Sequence, residues 1–139
     1  MADRPFISFE QAQAAMKAMT EKAIQSSATP VAMAIVDEAG HLVAYAGMDN
    51  MRLLGRRHAL RKAYTSAITG TDSGAHAERL KSLGRTVSDI GDPSITPGQG
   101  GIVVLSKDGV IMGGIGVGGY PSAQADEDLA RVGLTAMNL

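Results

Sequence analysis

The 139-residue chain contains no cysteine and no tryptophan. The absence of cysteine excludes a disulfide framework, a thiolate metal site and a thiol nucleophile. Aromatic residues make up only 4 % of the chain, so its core must be built from Ala, Val, Ile, Leu and Met. The formal charge of −1 supplies no basic surface for bulk nucleic-acid binding. No apolar run approaches the roughly 20 residues that a membrane helix needs. The start, Met1-Ala2-Asp3-Arg4-Pro5, lacks the pattern of a signal peptide, and the expectation is a cytoplasmic protein. What is present fits one domain over residues 1–139: 45 % apolar residues, and eight methionines suited to deformable core filling.

In chain order, Ser8-x-x-Gln11 has the spacing of a capping box. Ala12, Ala15, Met16, Met19, Ala23 and Ile24 then recur at helical spacing, with a stop expected near Ser26-Ser27 before Pro30. Val31–Val36 carries no polar residue, which predicts a strand buried on both faces with helices on either side. Asp37-Glu38-Ala39-Gly40 is a turn, and His41–Ala46 its antiparallel partner strand. A second helix is expected over Leu53–Thr69, with Leu53, Leu60, Ala63, Tyr64 and Ala67 on one face and Gly70 as its C-terminal cap. Thr71-Asp72-Ser73 offers an N-cap for a short third helix ending at Gly84, with Ala77, Leu80 and Leu83 as its apolar residues. Residues 85–97 have no clear period and read as a long loop with room for one short strand. Ser122 is the expected N-cap of a last helix that buries Leu129, Val132, Leu134 and Met137. Strands paired by short turns and separated by helices define an α/β (α+β) chain with a largely antiparallel sheet.

The densest signal lies between residues 97 and 119, where nine of the 17 glycines fall in 23 residues. Ile102–Leu105 and Val110–Met112 flank Lys107-Asp108-Gly109, a hairpin turn. Glycine weakens a strand interior by roughly 0.5–1 kcal/mol relative to alanine. A run of Gly113, Gly114, Gly116, Gly118 and Gly119 therefore implies close backbone approach by a helix or a ligand. The run is not a dinucleotide-binding fingerprint, because no βαβ unit surrounds it. No nicotinamide or flavin cofactor is expected.

On the second helix Arg57, His58, Arg61 and Lys62 share an arc beside Tyr64. Guanidinium forks and an ammonium suit a carboxylate or propionate. His58, and His76 in the next helix, are the histidines placed to act, whereas His41 at a strand start reads as exposed. None of the three has a metal-ligand spacing.

The order VAMAIVDEAGHLVAY, RRHALRKAYTSA, PGQGG, DGVIMGGIGVGG and a final D-x-x-L-A helix resembles the GlcG/HbpS family, also called the haem-degrading or DUF336 domain, which includes the C-terminal domain of PduO-type corrinoid adenosyltransferases. The resemblance runs from Ser8 to about Gly133. It implies a profilin-like three-layer α/β/α fold with a five-stranded antiparallel sheet, homo-oligomers, and in some members haem binding. The positions that match are Asp37, Gly40, Lys62, Ala63, Tyr64, Gly100, Gly101, Gly116, Gly118 and Asp126.

Three functions follow as expectations. The first is a small-molecule-binding protein for haem or another tetrapyrrole. Its ligand would be held by Arg57, His58, Arg61, Lys62, Tyr64, His76, Gly100 and Gly101, with His58 or His76 as axial ligand and the two glycines opening a pocket mouth. The second is a small catabolic lyase, isomerase or hydrolase, in which Arg61 and Lys62 hold a carboxylic acid and His58 or Tyr64 is the acid or base. The third is an assembly module whose glycine strand serves close packing alone.

Overall fold

The computed structural model describes residues 4–26 and 29–139. Helix α1 spans Phe9–Ser26, strands β1 and β2 span Ala32–Asp37 and Leu42–Gly47, and helices α2 and α3 span Leu53–Thr69 and Ser73–Ser82. A 3-10 turn at Val87–Asp89 precedes β3 (Gly101–Leu105), β4 (Ile111–Gly118) and α4 (Ala123–Ala136). The four strands form one antiparallel sheet in the order β2-β1-β4-β3. The resemblance implies a fifth strand; among the described residues there are four. Residues 85–97 supply no strand: Thr86 and Asp89 cap each other's backbone around the 3-10 turn at Val87–Asp89, and the rest is irregular. Met1, Ala2, Asp3 and Ser27 lie outside the described residues.

Local chemistry accounts for the element ends. The Ser8 hydroxyl accepts from the Gln11 amide at 3.0 Å, and Gln11 Oε1 accepts from the Ser8 amide at 2.9 Å, closing the capping box. Ser122 caps α4 by accepting from the Ala125 amide. Gly70, at φ +68°, ends α2 in the left-handed conformation.

The two faces of the sheet are packed differently. Met33 and Ile35 of β1, Ile115 and Val117 of β4, and Ile102 and Val104 of β3 form a core with Ala15, Met19 and Ala23 of α1 and Leu129 and Ala130 of α4. On the other face, Ala32, Ala34 and Val36 meet Ala59, Ala63 and Ala67 of α2. Strand alternation puts Gly114, Gly116 and Gly118 opposite Val36, Ala34 and Ala32 of β1, so all three also face α2. A Cβ at Gly114 would overlap the Ala63 carbonyl oxygen, one at Gly116 the Ala59 oxygen, and one at Gly118 would stand 2.5 Å from the Gly55 oxygen. Gly55, Ala59, Ala63 and Ala67 recur every four residues, one helical row. The glycine strand is therefore the seat of a helix, not of a ligand.

Several expected core residues are solvent-facing: Ile24, Leu53 and Leu83 are exposed. Leu53 is 76 % exposed because the row that meets the sheet is the small-residue row, two residues further along.

Candidate functional site

The arc on α2 divides where the helix meets the end of the sheet. Arg57 is exposed, and His58 and Arg61 are half-buried. Lys62, one turn beyond His58, points inward and is only 6 % exposed. Its Nζ donates to Asp126 Oδ2 at 3.0 Å and to the Val117 carbonyl at 3.0 Å. Asp126, 3 % exposed, also accepts from the Tyr120 amide through Oδ1 at 3.1 Å. A buried ion pair thus ties α2 to the first turn of α4 and to the exit of β4.

Gly98, Gly100 and Gly101 cover this pair. A Cβ at Gly100 would stand 2.9 Å from Lys62 Nζ and 2.9 Å from Asp126 Cβ, and one at Gly101 would overlap the Lys62 carbonyl. Gly100 and Gly101 are both buried. They do not open a pocket mouth; they close the lid of the ion pair.

These placements revise the expected site. Lys62 does not share a carboxylate with Arg61, because its ammonium is already committed to Asp126. The enzyme reading thereby loses half of its substrate clamp. Tyr64 stands apart from the arginines: its ring covers Gly40, and its hydroxyl donates to Asp92 Oδ2 at 2.7 Å. That bond, with burial, raises the Tyr64 pKa above 10.0, so at neutral pH the phenol is a donor and a poor base. Burial likewise raises Tyr120. In a spectrophotometric alkaline titration both should ionise above 10.0, and Tyr64→Phe should remove one of the late-titrating groups.

His58 keeps its place in the arc. Burial lowers its pKa below 6.5, and the charges of Lys62 and Arg61 lower it further, against a smaller opposing effect of Asp126. The imidazole is therefore neutral at pH 7, with a lone pair to offer. Among the described residues no carboxylate forms an ion pair with Arg57 or Arg61. His76 sits in α3 with Nδ1 buried and unpartnered. His41 has a side chain 81 % exposed, 3.8 Å from Asp37. No group of three or more His, Asp or Glu able to hold a metal ion occurs among the described residues.

Asp126 is the residue whose role sequence reasoning missed. Its place in the first turn of a helix suggests a dipole-stabilising surface carboxylate. The signal that could have exposed it is Lys62, a charged residue next to the small-residue row of α2, which needs a buried counter-ion.

An antiparallel sheet with helices on both faces, a helix seated on a glycine strand and a covered Lys–Asp pair beneath a neutral histidine define the class. Residues 7–135 match the family model described as "Haem degrading protein HbpS-like", and the chain belongs to that family. It is 31 % identical over 117 residues to the protein GlcG of Escherichia coli K12, covering 84 % of each chain. It is 30 % identical to a double mutant of HbpS from Streptomyces reticuli, with a TM-score of 0.85 over 97 % of this chain and 89 % of that one. It is 26 % identical to PduOC in a structure of its haem complex, with a TM-score of 0.84 over 96 % of each chain. No helix among the described residues is long and apolar enough to cross a membrane.

Proposed function

We propose that this chain binds haem on the exposed side of α2, with His58 as axial ligand and Arg57 and Arg61 as partners of the propionates. The observation that carries the reading is a neutral imidazole on the same helix as two arginines free of carboxylates. A neutral imidazole is the form that ligates iron, and guanidinium forks match carboxylate geometry. Family membership and the haem complex of the relative PduOC support the same ligand. The residues present therefore fit the group. Haem would supply the iron; the protein supplies the ligand, the anion partners and, through the Lys62–Asp126 pair, a rigid base beneath His58.

Addition of haemin to the purified chain should shift the Soret band. His58→Ala should abolish the shift, and His76→Ala should leave it. Arg57→Ala and Arg61→Ala should each weaken binding by about tenfold at low salt, the value of one charge-assisted hydrogen bond. Because the folded state lowers the His58 pKa, the shift should survive acidification below 6.5, the value of an unperturbed imidazole. Absence of any Soret shift rejects haem. A shift lost in His76→Ala and kept in His58→Ala moves the ligand to α3.

A further inference from the structure

Helices α1 and α4 lie on the face of the sheet opposite α2. They close on each other where Met19 meets Gly133: a Cβ on that glycine would stand 2.8 Å from Met19 Sδ. Towards the end of α1 and the start of α4 they part around a cavity of about 480 Å³. Ligand sites commonly have volumes of roughly 300–1,000 Å³. Its floor is apolar: Leu129 and Tyr120, both packed into the core, with Ala125 and Val132. Beyond Val132 the gap continues as a groove lined by Ala18, Thr135 and Ala136. Ala18, Lys22 and Ser26 recur every four residues, one row of α1. From Ala125 to Ala136 the α4 side of this strip runs roughly 16 Å at helical rise.

The charge at the cavity comes from Lys22 and Asp128, and the two are not equivalent. Asp128 Oδ1 already accepts from Gln124 Nε2 at 2.9 Å. Lys22 forms no ion pair with a carboxylate among the described residues. Ser26 spends its hydroxyl hydrogen on the Lys22 carbonyl. Ser122 Oγ accepts from the Ala125 amide at 3.3 Å, which leaves its own hydrogen to give. We propose that this groove binds a medium-chain fatty acid, with its carboxylate at Lys22 and the Ser122 hydroxyl and its acyl chain along the apolar strip. Charge and shape select this class. An ammonium without a carboxylate partner and a hydroxyl with a hydrogen to donate call for an anionic acceptor. An elongated floor of aliphatic side chains suits an unbranched chain. The site is separate from the haem-binding face of α2 and does not rest on that reading.

Titration of the full chain with octanoate and decanoate below their micelle-forming concentrations, followed by calorimetry and amide NMR, tests it. The amide signals of Ser122, Ala125 and Val132 should move, and those of Arg57 and Arg61 should stay. Decanoate should bind about tenfold tighter than octanoate, the worth of two more buried methylenes. Decylammonium should bind more weakly than decanoate. Lys22→Ala should weaken decanoate about tenfold and leave decanol unchanged. Ala125→Phe, which fills the groove, should abolish binding with the circular dichroism unchanged; the comparison of head groups on the wild-type chain carries the test without it. Unmoved signals at Ser122 and Ala125 overturn the proposal. So does decylammonium binding the tighter, which puts the head group at Asp128, or an unchanged decanoate affinity in Lys22→Ala.

Discussion

Gly116→Ala should destabilise the protein by about 3 kcal/mol, which in a domain of this size lowers Tm by roughly 10 °C. The added methyl would overlap the Ala59 carbonyl oxygen and stand 2.5 Å from the Ala63 amide nitrogen. Both are helix backbone, which cannot rotate away as a side chain would. Relief requires α2 to lift off β4 along its length, opening the Ala32–Ala59–Ala63 contact. Gly84→Ala is the matched control. It has nothing within 4 Å but sits at φ +68°, so its cost is left-handed backbone alone, about 1 kcal/mol. Urea denaturation of the two variants should separate close approach from conformational freedom. Equal losses would show that α2 does not rest on the glycine strand as described.

Lys62→Met should cost about 3–5 kcal/mol, because it keeps the apolar stem and removes the charge, leaving Asp126 buried without its counter-ion. The same pair sets a pH dependence. Burial raises the Asp126 pKa above 3.8, with Lys62 and the Tyr120 amide opposing but not overcoming it. The folded protein therefore holds the Asp126 proton more tightly than the unfolded chain does. This contribution to stability is complete below 3.8 and is lost as pH rises through the folded-state value. That is the reverse of an ordinary surface carboxylate. Asp126→Asn should flatten this part of the urea-midpoint profile, and a profile unchanged in Asp126→Asn would assign the titration elsewhere.

Much of the fold was legible because its signals are local. A hydroxyl and an amide three residues apart start α1, a serine starts α4, and a Lys-Asp-Gly turn joins β3 to β4. The strand Val31–Val36 declares itself by having no polar face. The site was harder to read, since its decisive contact joins residues 64 positions apart. Helical spacing places Lys62 in one arc with Arg57 and Arg61, yet spacing does not say that this arc straddles the line where α2 meets the sheet. Asp72 shows the same limit. It stands at the N-cap position of α3, but its carboxylate makes no cap; it serves Val103 and Arg131 instead. Here the polar side chain serves a sheet-edge amide rather than its own helix, and only the folded chain brings that amide within reach. The strand count differed for a related reason: the segment 85–97 takes backbone partners in a 3-10 turn at Val87–Asp89, in the Asp92 side chain and carbonyl and in the Thr65 hydroxyl, none of them on a strand.

The position of Asp72 bears on how far assembly can run. A sheet with two open edges is a monomer in the polymer chemist's sense, with a reactive group at each end, and it propagates into fibres. Here Asp72 and Ser73 end-cap one terminus with side-chain hydrogen bonds. Growth of this sheet can therefore proceed from the β2 terminus alone.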